Sequence, residues 1–287
     1  MAKQLIKRVT MALLLCAFAV CLALGISLLV PQAQQAYAEE TDPNVHTDHD
    51  SSWTALTDGM TDLADGYYYL SGNFNGNLTI NGTVTLCLNG HVLTGTGNGS
   101  VITVNSDANF TLCDCNGSQG THYYTEDVAT GLWTITDEPS GSDGSISGGV
   151  ITGGTGKEVY NGLSYTFGGG VYVESNTKFT MEGGTIAGNS ATEHGGGVYV
   201  SDGTFSMEGG TIAGNTADYG GGVYVDSSTF AMSGNATISN NMAGRGGGVE
   251  VHGTFNMEGG TISDNTADQS GGVYVSEGKF NMEGGTI

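Results

Sequence analysis

Gly195–Ala217 reads GGGVYVSDGTFSMEGGTIAGNTA, and variants of it fill the chain from Gly168 to Ile287. Phe-x-Met recurs at Phe179, Phe205, Phe230, Phe255 and Phe280, with steps of 26, 25, 25 and 25. Val-Tyr-Val precedes it at Val171, Val198, Val223 and Val273, and becomes Val-Glu-Val at Val249. Gly-Gly-Thr-Ile follows it, except that the third copy reads Gly-Asn-Ala-Thr-Ile at Gly234–Ile238, and Asn189, Asn215, Asn241 and Asn265 close the units. A fixed period in this range marks a repeat architecture, whose units bury their apolar faces only on one another.

Each unit holds short apolar runs with period two, broken by glycines, and none has the 3.6 period of a helix. A coil of about 25 residues with three short strands predicts an all-β, right-handed parallel β-helix. Equivalent residues then stack at about 4.8 Å, in about nine coils. Leucine-rich and calcium-binding nonapeptide repeats need patterns that this chain lacks. Alternation sends both valines of Val171-Tyr172-Val173 inward and the tyrosine outward. Likewise Phe179 and Met181 face in, while Glu182 faces out. Glycines serve as corners, and the asparagines are expected to form an amide ladder along the axis.

Of 287 residues, 50 are Gly and three are Pro, without the three-residue period of collagen. Repeat corners account for that excess. Residues 1–38 stand apart: Lys3, Lys7 and Arg8, an apolar run from Val9 to Val30, then Ala36-Tyr37-Ala38. This is the pattern of a secretory signal peptide, with an uncleaved anchor as the rival reading. It places the mature chain outside the cell, at or near a cell surface, with no membrane insertion of the repeats. Cleavage leaves four basic residues (Lys157, Lys178, Arg245, Lys279) against 29 acidic ones. That balance excludes nucleic acid, whose phosphates need Lys and Arg. No cofactor is expected, with calcium on the acidic surface as the alternative.

Residues 39–52 read as a polar leader; His46, Asp48, His49 and Asp50 within it have no metal-specific spacing. Residues 53–72, with Trp53, Leu56, Leu63 and Tyr67–Tyr69, read as the cap that shields the first coil's open edge. The β-helix is assigned to 73–287. Its less regular coils span 73–115, an insertion spans 116–144, and regular repeats span 145–287, ending mid-coil as a fragment would. Thr85-Leu86-Cys87 and Thr111-Leu112-Cys113 align at a 26-residue step, so Cys87 and Cys113 stack on adjacent coils, either disulfide-bonded or as free thiols. The insertion, THYYTEDVATGLWTITDE, reads as a two-stranded hairpin. Its Tyr123, Tyr124 and Trp133 either face a ligand or pack the hairpin onto the coils.

The run GGGVYV…TFxMxGGTIxxNxA resembles secreted bacterial β-helix repeat proteins of the adhesin type, similar in style to polymorphic outer-membrane protein repeats. Here Gly-Gly-Thr-Ile stands for their Gly-Gly-Ala-Ile, and Ile186-Ala187-Gly188-Asn189 for Phe-x-x-Asn. The resemblance implies an adhesive or structural stalk whose partner is a surface glycan or protein, host or bacterial. Tyr172, Tyr199, Tyr224 and Tyr274 form an outward column that either stacks on a ligand or stabilises its own sheet. Near-identical coils argue against catalysis, because an active site breaks a repeat locally. The alternative is a polysaccharide lyase or glycoside hydrolase of the same fold, with Arg245 beside Glu250 as its one distinctive feature.

Overall fold

A computed structural model of the protein describes residues 49–118, 120–159 and 164–287. The expected signal peptide, most of the polar leader, His46 and Asp48 lie outside these residues. The described chain is all strand and turn: a parallel β-helix. No helix among the described residues is long and apolar enough to cross a membrane.

Three long sheets run along the axis. The Phe-x-Met segments form a nine-stranded sheet, the Val-Tyr-Val segments an eight-stranded sheet, and the Thr-Ile segments a seven-stranded sheet. Pairing is parallel and in register, so Phe179 faces Phe205 and Val171 faces Val198. The inward residues build one continuous core of Phe, Met, Val, Leu and Ile. Within it Phe110, Phe179, Phe205, Phe230, Phe255 and Phe280 stack with ring centroids 4.6 to 5.2 Å apart. That spacing follows from the separation of paired strands, which places like on like.

The asparagine ladder forms as expected. Asn189 Nδ2 donates to Asn215 Oδ1 (3.1 Å), Asn215 to Asn241 (3.0 Å) and Asn241 to Asn265 (2.9 Å). Each Oδ1 also accepts the backbone N–H of the preceding ladder residue, as Asn215 does from Asn189 (3.0 Å). Burial is tolerable because these amides are satisfied on every side.

The sequence reading is refined at four places. The stretch assigned as a cap, 53–72, is itself coiled: Trp53–Ala55 pairs with Gly66–Tyr69, and that strand pairs with Thr83–Cys87. The expected hairpin forms from Thr121–Glu126 and Trp133–Thr136, and a third strand extends it. Gly144–Ser147 joins Thr121–Glu126 and Trp133–Thr136 in a three-stranded antiparallel sheet, and the coil resumes at Val150–Thr152. A second departure, not anticipated, pairs Lys157–Glu158 with Thr166–Phe167. Finally, the later coils carry a fourth strand: Thr216–Tyr219, Met242–Arg245 and Thr266–Gln269 form a short sheet of their own.

Candidate functional site

That fourth strand changes the meaning of the tyrosine column. Tyr172, Tyr199 and Tyr224 do point away from the central core, and their rings stack at 5.3 and 5.7 Å. They are nevertheless buried, at 7 to 8% exposure, in a second cluster with Phe167. The cover is a parallel column of Phe167, His194, Tyr219, Arg245 and Gln269, each five residues before the outward position it accompanies. Phe167 stacks on Tyr199 (5.2 Å), and His194 meets Tyr224 edge-on (4.2 Å). The chain reverses onto itself through glycines in the left-handed region, such as Gly220 at φ 62°. A Cβ there would meet the Val223 carbonyl oxygen at 2.5 Å. Of the two roles open to the column, these three rings take the second, packing on their own sheet; Tyr274, in the last coil, is half-buried.

Burial sets the chemistry of this second cluster. Desolvation lowers the His194 pKa to about 4, and it raises the Tyr199 and Tyr224 hydroxyls well above their ordinary range. Tyr199 Oη donates to Asp226 (2.9 Å). At the one coil where Tyr becomes Glu, the covering residue is Arg245, which bonds Glu250 at 2.9 Å; His252 contacts the same oxygen at 3.0 Å. Glu250 is fully buried, so its carboxylate is enclosed rather than offered to a substrate.

The insertion presents the more open feature. Trp133 is buried, stacked on Tyr124 with centroids 3.7 Å apart. Its backbone N–H donates to Gly214 O (3.0 Å), and its ring lies against the Gly214 corner. Thus Trp133 anchors the insertion to the coils and is not exposed; Tyr123 and Tyr124 are half-buried. Beside this anchor, a cleft of about 420 Å³ lies against the Thr-Ile sheet, lined by Asn73, Asn75, Thr94, Trp133, Thr136 and Asp137 among others. Asp137 is held by Asn73 Nδ2 (3.2 Å) and by His122 Nδ1 (2.8 Å), and His122 Nε2 lies 3.1 Å from Gly90 O. The cleft therefore has fixed polar walls and one aromatic wall. Asn73, Asn75 and Thr94 were not singled out from the sequence, because coils with steps below 25 residues hide their alignment with the repeat.

Cys87 and Cys113 stand opposite one another in register, as the 26-residue step implies. Neither is bonded; all three described cysteines are free. Cys87 Sγ instead meets Cys115 Sγ at 3.2 Å. His49 completes a group whose ligating atoms all lie within 4.8 Å of one another. Contact with Cys113 and burial raise the Cys87 pKa, and burial beside Cys87 pushes Cys115 up to about 12. No comparable group of carboxylates converges among the described residues.

Protein-family models, curated proteins and solved structures contain no match to this chain.

Proposed function

We propose that this protein is a secreted or cell-surface, adhesin-like solenoid that binds a glycan or protein ligand at the cleft beneath its inserted sheet, without catalysis. The observation that carries this reading is the cleft itself. There the insertion interrupts the regular repeat, and polar side chains converge beside an aromatic ring. Concave sites with a few fixed polar groups and an apolar wall suit small-ligand recognition. Asn and Thr side chains, with one carboxylate held by His122, match the hydroxyl-rich edge of a neutral sugar. Secretion is supported by the basic, apolar and Ala-x-Ala segments of residues 1–38. The few basic residues make an anionic glycan a poor partner, while the acidic surface admits calcium as an auxiliary ion.

The test is a screen of the full chain against neutral glycans and extracellular-matrix proteins, with and without a calcium chelator. Asn75→Trp, which fills the cleft, and Asp137→Ala are expected to abolish binding of any ligand found. Tyr274→Ala, far from the cleft, is expected to leave it unchanged. Binding that survives Asn75→Trp rejects the cleft as the site. Product release from a bound polysaccharide, lost in Asp137→Ala, moves the assignment to an enzyme.

A further inference from the structure

We propose that His49, Cys87 and Cys115 form a binding site for one thiophilic divalent cation, with zinc as its probe. The three residues come from three separated stretches, and the fold brings them together for identifiable reasons. Cys87 ends its strand in the outward column that also holds Tyr69 and Cys113. The His49 ring lies flat on Tyr69, with centroids 4.1 Å apart and an 11° tilt, and meets Trp53 edge-on at 4.9 Å. This seats the imidazole beside Cys87. Cys115 is carried back over the strand end by a turn pinned at Asp114, whose carboxylate accepts the backbone N–H of Gly90 and of Gly149, both at 2.7 Å.

The atoms are placed as ligands. Cys115 Sγ lies 3.2 Å from Cys87 Sγ and 3.7 Å from His49 Nε2. Zinc held at about 2.3 Å by sulfur and about 2.0–2.1 Å by nitrogen needs ligand atoms roughly 3.5–3.8 Å apart, so small shifts admit the ion. The Cys115 backbone N–H donates to Cys87 Sγ (3.3 Å), which fixes that sulfur beside the turn. Stacking on Tyr69 fixes the ring that carries the third ligand, the role outer-shell contacts play in metal sites. A Cys₂His set leaves one of four tetrahedral positions to solvent or an external ligand. Asn89 Oδ1, 3.5 Å from Cys115 Sγ, is the neighbouring polar atom. Two sulfurs alone would suit a disulfide, but a disulfide gives the oriented imidazole no part. Binding displaces the two thiol protons to solvent and forms two sulfur–metal bonds and one nitrogen–metal bond.

The experiment uses the full chain, reduced and freed of metal. Zinc is titrated against a chromophoric chelator, and cobalt(II) is added separately as a spectroscopic stand-in. One ion per chain is expected, with a thiolate-to-cobalt charge-transfer band and the intense visible absorption of a four-coordinate centre. Cys87→Ser, Cys115→Ser and His49→Gln should each lose the retained ion, whereas Cys113→Ser should keep it. The cobalt spectrum of the unaltered chain reads the site even if a variant misfolds. Absence of both zinc retention and the thiolate band overturns the proposal. So does ion retention undiminished in the Cys87→Ser, Cys115→Ser double variant. A reduced chain that ignores zinc but closes a Cys87–Cys115 disulfide on air oxidation, two hydrogens lighter by mass, replaces the metal site with a redox bond.

Discussion

Arg245 and Glu250 are five residues apart and 2.9 Å apart, and the same offset joins Phe167 to Tyr172, His194 to Tyr199 and Tyr219 to Tyr224. The repeat thus exchanges an aromatic outward position and its aromatic cover for an acid and a base together. Glu250 sits in register between Tyr224 and Tyr274, and the Arg245 guanidinium lies over the Tyr219 ring (4.5 Å) and the Tyr274 ring (5.0 Å).

Breaking this pair on one side leaves a buried carboxylate with only His252 as partner. Arg245→Met is expected to destabilise the protein by about 2–3 kcal/mol. The double change Arg245→Tyr with Glu250→Tyr restores the pattern of the neighbouring coil and should fall within about 1 kcal/mol of the parent, or exceed it. Chemical denaturation of the three proteins checks the order. A double variant weaker than the single one contradicts the pairing of the two columns.

The ladder predicts a larger local loss. Asn215 gives its amide hydrogens to Ile186 O (2.9 Å) and Asn241 Oδ1, and its oxygen takes both the backbone and side-chain N–H of Asn189. Asn215→Ala orphans several buried groups at once, so a cost of about 2–4 kcal/mol is expected. Hydrogen exchange should quicken first at the Asn189 amide, which loses its acceptor.

Acid should weaken the second cluster through His194. Its pKa is depressed to about 4 by burial, below the ordinary 6.5. The unfolded chain therefore binds the extra proton first. The contribution is fully present above about pH 6.5, and it falls as pH drops toward 4. Because the ring is partly exposed, the loss is on the order of 1–2 kcal/mol rather than the full shift. His194→Phe, which copies Phe167, should flatten this part of the stability profile while other carboxylate titrations remain. An unchanged slope between pH 6.5 and 4 counts against it.

The insertion's seat can be tested by one substitution. The left-handed position before each ladder asparagine is Gly188, Gly214, Asn240 and Asp264, with φ of 67°, 61°, 55° and 56°. Asn and Asp tolerate that conformation, so backbone geometry alone does not demand glycine at 214. The Trp133 ring does, since it occupies the space a Cβ would take. Gly214→Asn should cost roughly 1–3 kcal/mol by overpacking. In a Trp53→Phe background it should also shift Trp133 fluorescence toward that of a hydrated indole. Asn240→Gly should do neither.

Much of the architecture could be read from alternation. Val171, Phe179, Met181 and Ile186 face the core as period two demands, and the asparagine steps foretold the ladder. Other parts carried weaker signals. Thr216–Tyr219 and its equivalents have no apolar alternation, so the strand that covers the tyrosines was visible only as an aromatic or Arg five residues before Tyr or Glu. The first coils step by 14 residues (Trp53 to Tyr67) and 18 (Tyr67 to Thr85), which conceals them under a 25-residue ruler. Cys115 meets Cys87 because Asp114 folds a turn, and spacing alone favoured Cys113. His49 read as leader because its partners, Tyr69 and Trp53, lie in another coil and a flanking strand.

The insertion's anchor has a mechanical meaning. Trp133 rests on the corners at Gly188 and Gly214, and Gly131 abuts Met242, so one excursion from the chain spans three successive coils. A bare solenoid is a spring whose turns are joined only to their neighbours, and it can open one turn at a time. Clipped from the side across three turns, this segment yields as a block. Pulling force or a protease must release the clip before it can unwind any of the coils beneath.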